Sequence, residues 1–496
     1  MRLKALLQEI SLSLPSGRDR EIGLVTESTA TAGVDSIFVC IRGSRADGHD
    51  FAPRAYANGC RIFVSEKALS LPSDAQVLQV ENTRAALAML ACAMFSHPSE
   101  RLHVIGVTGT KGKTTVARMI AHILNQNGLP CGYVGTNGIS YGVVTQATQN
   151  TTPDAMTLQR TLSDMADAGM KAAVIEVSSQ AILQHRVDGT HFETVLFTNL
   201  SSDHIGPNEH ADFEDYKACK HRLFTDFGAR NAIYFAGDSA AQDMIAGTSA
   251  DRMLLCNIRD AGCDCTATQI RPHRTEEMLG SICTVRFQGA EVRCRLPMPG
   301  EYSVANALLA LAVATGVFEI PLSTAAKALE SIAVEGRMEW IPLPFGATAV
   351  IDYAHNGESL RKLLTALRAY APTRLICLFG SVGERTKLRR RELGSVAAEL
   401  TDLCILTSDN PGTEEPEQII AEIARAFEGS STPYLCIPDR ADAIREALRR
   451  TQAGDILVLA GKGHETYQLI GTKKLPFCER AIIEAYFQAK QVPELL

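Results

Sequence analysis

Apolar residues in this chain come mostly as short unbroken runs, each ended by glycine or by polar side chains. Runs of that length, without strict alternation, suit strands buried on both faces. They predict strands over residues 36–40, 60–65, 102–107, 172–177, 195–199, 348–353, 375–379, 403–407 and 455–460. Longer segments at 156–168, 216–224, 305–314 and 322–332 read as helices, and residues 250–300 read as β-rich and irregular. Strands alternating with helices imply an α/β fold built on parallel sheets covered on both faces. The pattern breaks around Ser96-His-Pro-Ser-Glu100 and starts afresh near Gly336. Three domains are therefore expected: a small α/β domain over 1–98, a central domain over 99–334 and a second α/β block over 335–496.

Length agrees with that division, because 496 residues are too many for one core. A hydrophobic content of 46% and a charged content of 21% are ordinary for a soluble globular protein. Net charge is −7 with no long basic run, so no nucleic-acid partner is expected. No stretch approaches the roughly 18 apolar residues of a membrane span, and the N-terminus has no signal-peptide core. A cytoplasmic monomer is the expectation. The fourteen cysteines are scattered. Cys40, Cys92, Cys377 and Cys404 sit in apolar runs, where a reduced thiol serves as a small hydrophobe. The group Cys256, Cys263, Cys265, Cys283 and Cys294 lacks a C-x-x-C pair and histidines at finger spacing, so ordinary thiols are expected rather than zinc.

The segment Gly109-Thr-Lys-Gly-Lys-Thr-Thr115 follows a predicted strand and opens a predicted helix. In that order, loop N–H groups and the positive end of the helix dipole face an anion. Lys113 can reach the β- and γ-phosphates of ATP, and the Thr114 hydroxyl can ligate Mg²⁺. A strict G-x-x-x-x-G-K-T would need glycine at 107, which is Val, whereas Gly106 lies one place early. Glu176 ends the strand of the next βα unit, where a carboxylate can hold Mg²⁺ opposite the loop. His204 follows the strand after that, at the same sheet edge. Asn150-Thr-Thr152 and His185-Arg186 are polar clusters suited to an anionic ligand. Lys220 reads, from its neighbours alone, as a solvated helix lysine. In the last block Asp352-Tyr-Ala-His355, Asp409-Asn-Pro411 and Gly461-Lys-Gly-His-Glu465 each follow a strand. Three polar strand ends at one sheet edge predict a second ligand site.

Together these residues resemble the Mur ligase family, the ATP-dependent amide-forming enzymes of peptidoglycan precursor synthesis. The resemblance rests on the loop at 109–115, Glu176-Val-Ser-Ser179, Thr198-Asn-Leu-Ser-Ser-Asp-His204, Gly300-Glu-Tyr-Ser-Val-Ala-Asn306, Gly336-Arg-Met-Glu339 and Asp352-Tyr-Ala-His355. Asn150-Thr-Thr152, Ser178-Ser-Gln-Ala-Ile-Leu-Gln-His-Arg186, Asp409-Asn-Pro411 and Gly461-Lys-Gly-His-Glu465 resemble the branch that adds the third residue of the stem peptide. The resemblance implies a UDP-binding domain, a central ATPase and a Rossmann-like C-terminal domain. It implies that Gly109, Thr110, Lys111, Gly112, Lys113, Thr114, Thr115, Asn306, Arg337, Asp352 and His355 serve ATP. Thr114, Glu176, His204 and a carbamylated Lys220 would serve Mg²⁺, with Lys113, Glu176, His204 and Lys220 carrying the catalysis. Ser28, Asn150, Thr151, Thr152, Ser178, Gln184 and Arg186 would hold the UDP-N-acetylmuramoyl dipeptide. Arg390, Asp409, Asn410, Gly461 and Glu465 would face the free amino acid.

Two positions depart from the family pattern. Members using meso-diaminopimelate usually read Asp-Asn-Pro-Arg, and here the fourth position is Gly412. That removes a charge-assisted grip on a distal carboxylate and leaves L-lysine or ornithine in competition with diaminopimelate. At 201–204 the chain reads Ser-Ser-Asp-His, where an arginine often precedes the Asp. Two other functions compete: a folylpolyglutamate-synthetase-like ligase, and a non-catalytic ATP-binding regulator.

Overall fold

A computed structural model describes residues 1–13, 19–43, 46–203, 205–206, 209–384 and 386–491. They fall into two compact units. The first comprises Met1–Thr266, Arg286–Ala290 and Asn306–Ala328; the second comprises Ala267–Val285, Glu291–Ala305 and the chain from Leu329 onward.

The first unit opens with a parallel four-stranded sheet of β1 (Leu24–Thr26), β2 (Ser36–Val39), β3 (Ile62–Ser65) and β4 (Gln76–Gln79), in that order. Its apolar face packs on Leu3, Leu6 and Leu7 of an N-terminal helix and on Leu87 and Leu90 of the helix Thr83–Met94. That second helix starts where it does because the Asn82 side chain accepts from the N–H groups of Arg84 and Ala85.

A larger sheet comes next, with β5 (His103–Thr108), β6 (Cys131–Gly135), β7 (Gly138–Tyr141), β8 (Val144–Gln146), β9 (Ala172–Glu176), β10 (Thr194–Phe197), β11 (Asn231–Phe235) and β12 (Arg252–Ile258). These strands lie in the order β12-β11-β10-β5-β9-β6-β7-β8. The run from β12 to β6 is parallel, and β7 and β8 are antiparallel additions. All residues of β9 and β10 are buried, which is why their sequences are continuous apolar runs. The register sets the site: Val107 pairs with Glu176, and Thr108 pairs with Phe197. The carboxyl ends of β9 and β10 therefore flank the loop that leaves β5.

The β-rich stretch at 250–300 resolves into β12 and three further strands, β13 (Cys265–Arg274), β14 (Leu279–Phe287) and β15 (Ala290–Leu296). Cys256, Cys265, Cys283 and Cys294 are buried in these strands, Cys263 is half-buried, and all five are free thiols.

The second unit holds a six-stranded sheet of β16 (Glu339–Pro342), β17 (Thr348–Asp352), β18 (Leu375–Phe379), β19 (Leu403–Leu406), β20 (Tyr434–Cys436) and β21 (Ile456–Ala460). The order is β16-β17-β21-β18-β19-β20, parallel except for β16. Asp352 pairs with Ala460, so the loops after β17 and β21 leave the sheet side by side. Predicted strands agree with observed ones within two residues. The helix expected at 305–314 is longer, Glu301–Gly316, because Gly300 turns at φ +89° directly before it. The helix expected at 322–332 ends at Leu329. Among the described residues no helix is long and apolar enough to cross a membrane.

Candidate active site

The loop after β5 is held from beneath by the end of β10. Asn199 O accepts from Thr110 N (2.8 Å), and Asn199 Oδ1 accepts from Lys111 N (3.0 Å). Thr198 Oγ1 and Asn199 Nδ2 both donate to Lys111 O, at 2.7 and 2.9 Å. Thr110 Oγ1 shares a hydrogen bond with Tyr216 OH (3.1 Å), and Lys111 Nζ pairs with Asp203 (2.9 Å). Gly109 and Gly112 take φ +143° and +86°. A Cβ on Gly109 would lie 1.9 Å from Thr198 Oγ1, and one on Gly112 would lie 2.6 Å from Asn306 Oδ1. Only glycine fits either position. Thr114 and Thr115 are buried in the first turn of the helix Lys113–Gln126.

Lys113 Nζ curls back onto Gly109 O (2.8 Å) and Thr110 O (3.0 Å). Lys220 Nζ donates to the same Gly109 O at 2.9 Å. The structure corrects the reading of Lys220 as solvated: the residue is 1% exposed. Helix Phe213–Thr225 turns it inward, with its ammonium 4.6 Å from the centre of the Tyr216 ring. Burial, reinforced by the charge of Lys113, drives its pKa well below the ordinary lysine value.

Glu176 is fully buried at the end of β9 and is held by four hydrogen bonds. Thr114 Oγ1 donates to Oε2 (2.9 Å) and Tyr133 OH to Oε1 (2.5 Å). Thr136 donates to Oε1 through its N–H (2.9 Å) and to Oε2 through its hydroxyl (3.1 Å). Such a shell lets a carboxylate stay buried. Burial and the Glu176 charge push the Tyr133 phenol upward. Sequence reasoning passed over Tyr133 and Thr136; the signal was their place within and directly after β6, the next parallel strand beyond β9. Thr114 and Glu176 offer adjacent hard oxygens, a donor set that fits Mg²⁺. His204, the third metal candidate, lies outside the described residues.

Beside Glu176 the structure gathers most of the expected dipeptide residues. Thr151 Oγ1 shares a hydrogen bond with Thr136 Oγ1 (3.1 Å). Thr152 Oγ1 donates to Glu176 O (2.7 Å) and accepts from Ser178 N (3.1 Å). Arg186 donates to Thr152 O and to Gln184 Oε1, both at 2.8 Å. Burial and the nearby Arg84 lower the Arg186 pKa, against the pull of Asp154 and Glu27. Ser28 makes local turn contacts with Thr26, Ala30, Thr31 and Ala32, and its neighbour Glu27 feels the Arg186 charge. Asn150 is exposed.

The second unit gathers a second group. Asp352 accepts from Met338 N (2.8 Å) and Ala354 N (2.9 Å); burial raises its carboxyl while Arg337 pulls it down. The Arg337 guanidinium lies 4.7 Å from the centre of the Tyr353 ring, which also contacts His355 and His464. Gly336 sits at φ +66°, where a Cβ would lie 2.0 Å from His464 N, so 336–339 and 461–465 pack backbone to backbone.

Lys462, which lies inside the expected 461–465 motif but was given no role of its own, is fully buried. It donates to Asn410 Oδ1 (2.9 Å) and Glu465 Oε2 (2.8 Å) and lies 3.6 Å from Asp409 Oδ1. Asn410 Nδ2 donates to the same Glu465 oxygen (2.8 Å). Asp409 is 2% exposed, and its Oδ2 has no hydrogen-bond partner among the described residues. Gly461, at φ +112°, leaves room for that oxygen, 2.6 Å from where a Cβ would stand. Arg390 is buried too, but its guanidinium bridges Glu414 (2.7 Å) and Glu422 (2.8 Å) within its own unit. Gly412 takes φ +59°, and the Glu384 carboxylate lies 3.3–3.5 Å from where its Cβ would be.

Three Mur ligase models match the chain: the Mur ligase family catalytic domain over 23–94, the Mur ligase middle domain over 107–314, and the Mur ligase glutamate ligase domain over 336–463. A UDP-N-acetylmuramoyl-L-alanyl-D-glutamate–2,6-diaminopimelate ligase of Caldanaerobacter subterraneus subsp. tengcongensis is 37% identical over 98% of each chain. The chain belongs to the Mur ligase family. A Mur ligase of the same description from Chlorobaculum tepidum is 39% identical over 91% of this chain and 90% of its own. A solved structure of a ligase so described superposes with a TM-score of 0.72 at 28% identity, covering 99% of both chains. The middle-domain match begins at Val107, on the strand that feeds the loop, and the glutamate-ligase match begins at Gly336, on the segment packed against 461–465.

Proposed function

We propose that this Mur ligase uses ATP to join a diamino acid to UDP-N-acetylmuramoyl-L-alanyl-D-glutamate, in peptidoglycan synthesis. The observation that carries the reading is the contact between Thr114 and Glu176, made where a glycine-held phosphate loop and the next parallel strand end together. In this reading domains 1–98, 99–334 and 335–496 take the UDP moiety, ATP and the amino acid respectively. Thr114 and Glu176 would hold Mg²⁺, with His204 and carbamylated Lys220 as further ligands, and the metal would offset charge on the phosphates. Lys113 leaves its two loop carbonyls to bind the β- and γ-phosphates. Carbamylation of Lys220 needs a neutral amine, which the depressed pKa supplies.

The γ-carboxylate oxygen of the D-glutamate attacks the γ-phosphorus, and ADP leaves. The amine of the diamino acid then attacks the acyl carbon; phosphate leaves, and the amine gives up a proton. Thr151, Thr152, Ser178, Gln184 and Arg186 orient the acceptor, because a chain of hydrogen bonds ties them to one another and, through Thr136 and Thr152, to Glu176. The acyl phosphate is water-labile, so the site must exclude water during the second step.

Phosphate release, measured with each substrate omitted in turn, tests the reading. Release must need ATP, the nucleotide dipeptide and a diamino acid together, and Lys113→Ala must lose at least about 100-fold in kcat/KM. Release driven by a folate and glutamate would favour the folylpolyglutamate-type alternative.

A further inference from the structure

Arg440 begins the helix Arg440–Arg450 and is 1% exposed, one of the largest fully buried side chains in the chain. Its guanidinium makes three kinds of contact. Nε donates to Glu479 Oε1 (2.9 Å), Nη1 to Ser408 O (3.1 Å) and Nη2 to Ala460 O (2.9 Å). Glu479 is 2% exposed, its carboxyl raised by burial and pulled back by Arg440, with smaller effects from Asp409 and Lys462.

The two carbonyls matter because each stands directly before a polar pair of the second group. Ser408 precedes Asp409-Asn410, and Ala460 precedes Gly461-Lys462. Those residues belong to β19 and β21 ends that are not neighbours: β18 lies between them. Two strands separated by a third stand about 10 Å apart, and no ladder hydrogen bond joins them directly. The planar guanidinium fork bridges that gap, a task the single ammonium of lysine cannot perform with both carbonyls and a carboxylate at once. Stability alone does not account for such a pair, since buried ion pairs are often replaced by apolar residues at no loss.

We propose that Arg440, anchored by Glu479, is a positioning residue that sets the spacing between Asp409-Asn410 and Gly461-Lys462, and so the geometry in which the incoming diamino acid is held. The inference rests on the proposed function, which places the diamino acid at these strand ends. It assigns Arg440 no contact with substrate.

The test uses the full chain and three variants: Arg440→Lys, Glu479→Gln, and the double variant Arg440→Met with Glu479→Leu, which removes both charges together. Michaelis constants for ATP, nucleotide dipeptide and diamino acid are measured beside thermal midpoints. In Arg440→Lys and in the double variant, KM for the diamino acid should rise about 10- to 100-fold, while KM for ATP stays within about twofold. Glu479→Gln keeps both carbonyl contacts and should show a smaller rise. An unchanged diamino-acid KM in either folded Arg440 variant overturns the inference. So does a parallel rise in all three constants, which marks a purely structural role. Wild-type protein that turns over with no diamino acid overturns the proposed function instead, and that arm is read before any variant is compared.

Discussion

Lys220 and Lys113 share one carbonyl oxygen, and their mutual repulsion has consequences that can be measured. Folding holds the Lys220 proton less tightly than the unfolded chain does, so at neutral pH this amine subtracts from stability. A depressed base costs stability wherever the unfolded amine is charged, and the cost vanishes above its unfolded pKa. Lys220→Met should therefore raise the thermal midpoint at pH 7 while abolishing most ligase activity, a stability–activity conflict typical of functional groups. Added bicarbonate should not restore that variant. Wild-type activity in carbon-dioxide-depleted buffer should fall as pH is lowered and recover with bicarbonate, with a ¹³C-bicarbonate signal on the wild type alone. Full activity in the variant would remove Lys220 from the mechanism. Gly412 offers a second test. Its left-handed backbone makes Gly412→Arg cost about 1–3 kcal/mol, and the new guanidinium would meet Glu384. The variant should lose stability without gaining preference for meso-diaminopimelate over L-lysine; adding Glu384→Ala should release that preference. Competition assays with the two amino acids read the ratio.

At the scale of elements, the loop after β5 depends on two glycines rather than on its lysine alone. Gly109→Ala forces a Cβ into Thr198 Oγ1 at the end of β10. That variant should bind ATP at least about 10-fold more weakly and lose stability by about 1–3 kcal/mol, read by nucleotide titration and denaturant unfolding. The parallel strands were legible in the sequence because each is apolar throughout and ends in glycine or a polar turn, as at Glu176, Asp352 and Gly461. Their order was not. Nothing local in β21 says that it lies between β17 and β18, and that insertion is what brings Asp352 and Gly461 together. The same limit hid Tyr133, Thr136, Lys462 and Arg440. Each looks like an ordinary aromatic, hydroxyl or basic residue until strand order shows what stands beside it. Lys220 was assigned a role by resemblance, but its burial comes from helix rotation against β5, which the local sequence does not display.

At the scale of the molecule, the chain passes between its compact units at 266, 285, 290, 305 and 328. The second unit is therefore not a simple C-terminal piece. Arg274 donates to Gly454 O (3.1 Å) and Asp455 O (3.3 Å), and Tyr370 OH donates to Gly280 O (2.6 Å). A fragment of residues 335–496 loses these contacts and should melt below the corresponding transition of the full chain, as calorimetry can register. In the proposed reading the first-unit group around Glu176 serves phosphate and acceptor and the Lys462 group in the second unit serves the amino acid, so neither unit alone is expected to ligate. The most direct measurement is the mass of the nucleotide product after incubation of the full chain with ATP, Mg²⁺, UDP-N-acetylmuramoyl-L-alanyl-D-glutamate and a diamino acid. The predicted mass is that of the dipeptide plus the diamino acid less one water, formed in step with one ADP. ADP formation with the nucleotide dipeptide recovered unchanged, for every diamino acid tried, would contradict ligation by this chain.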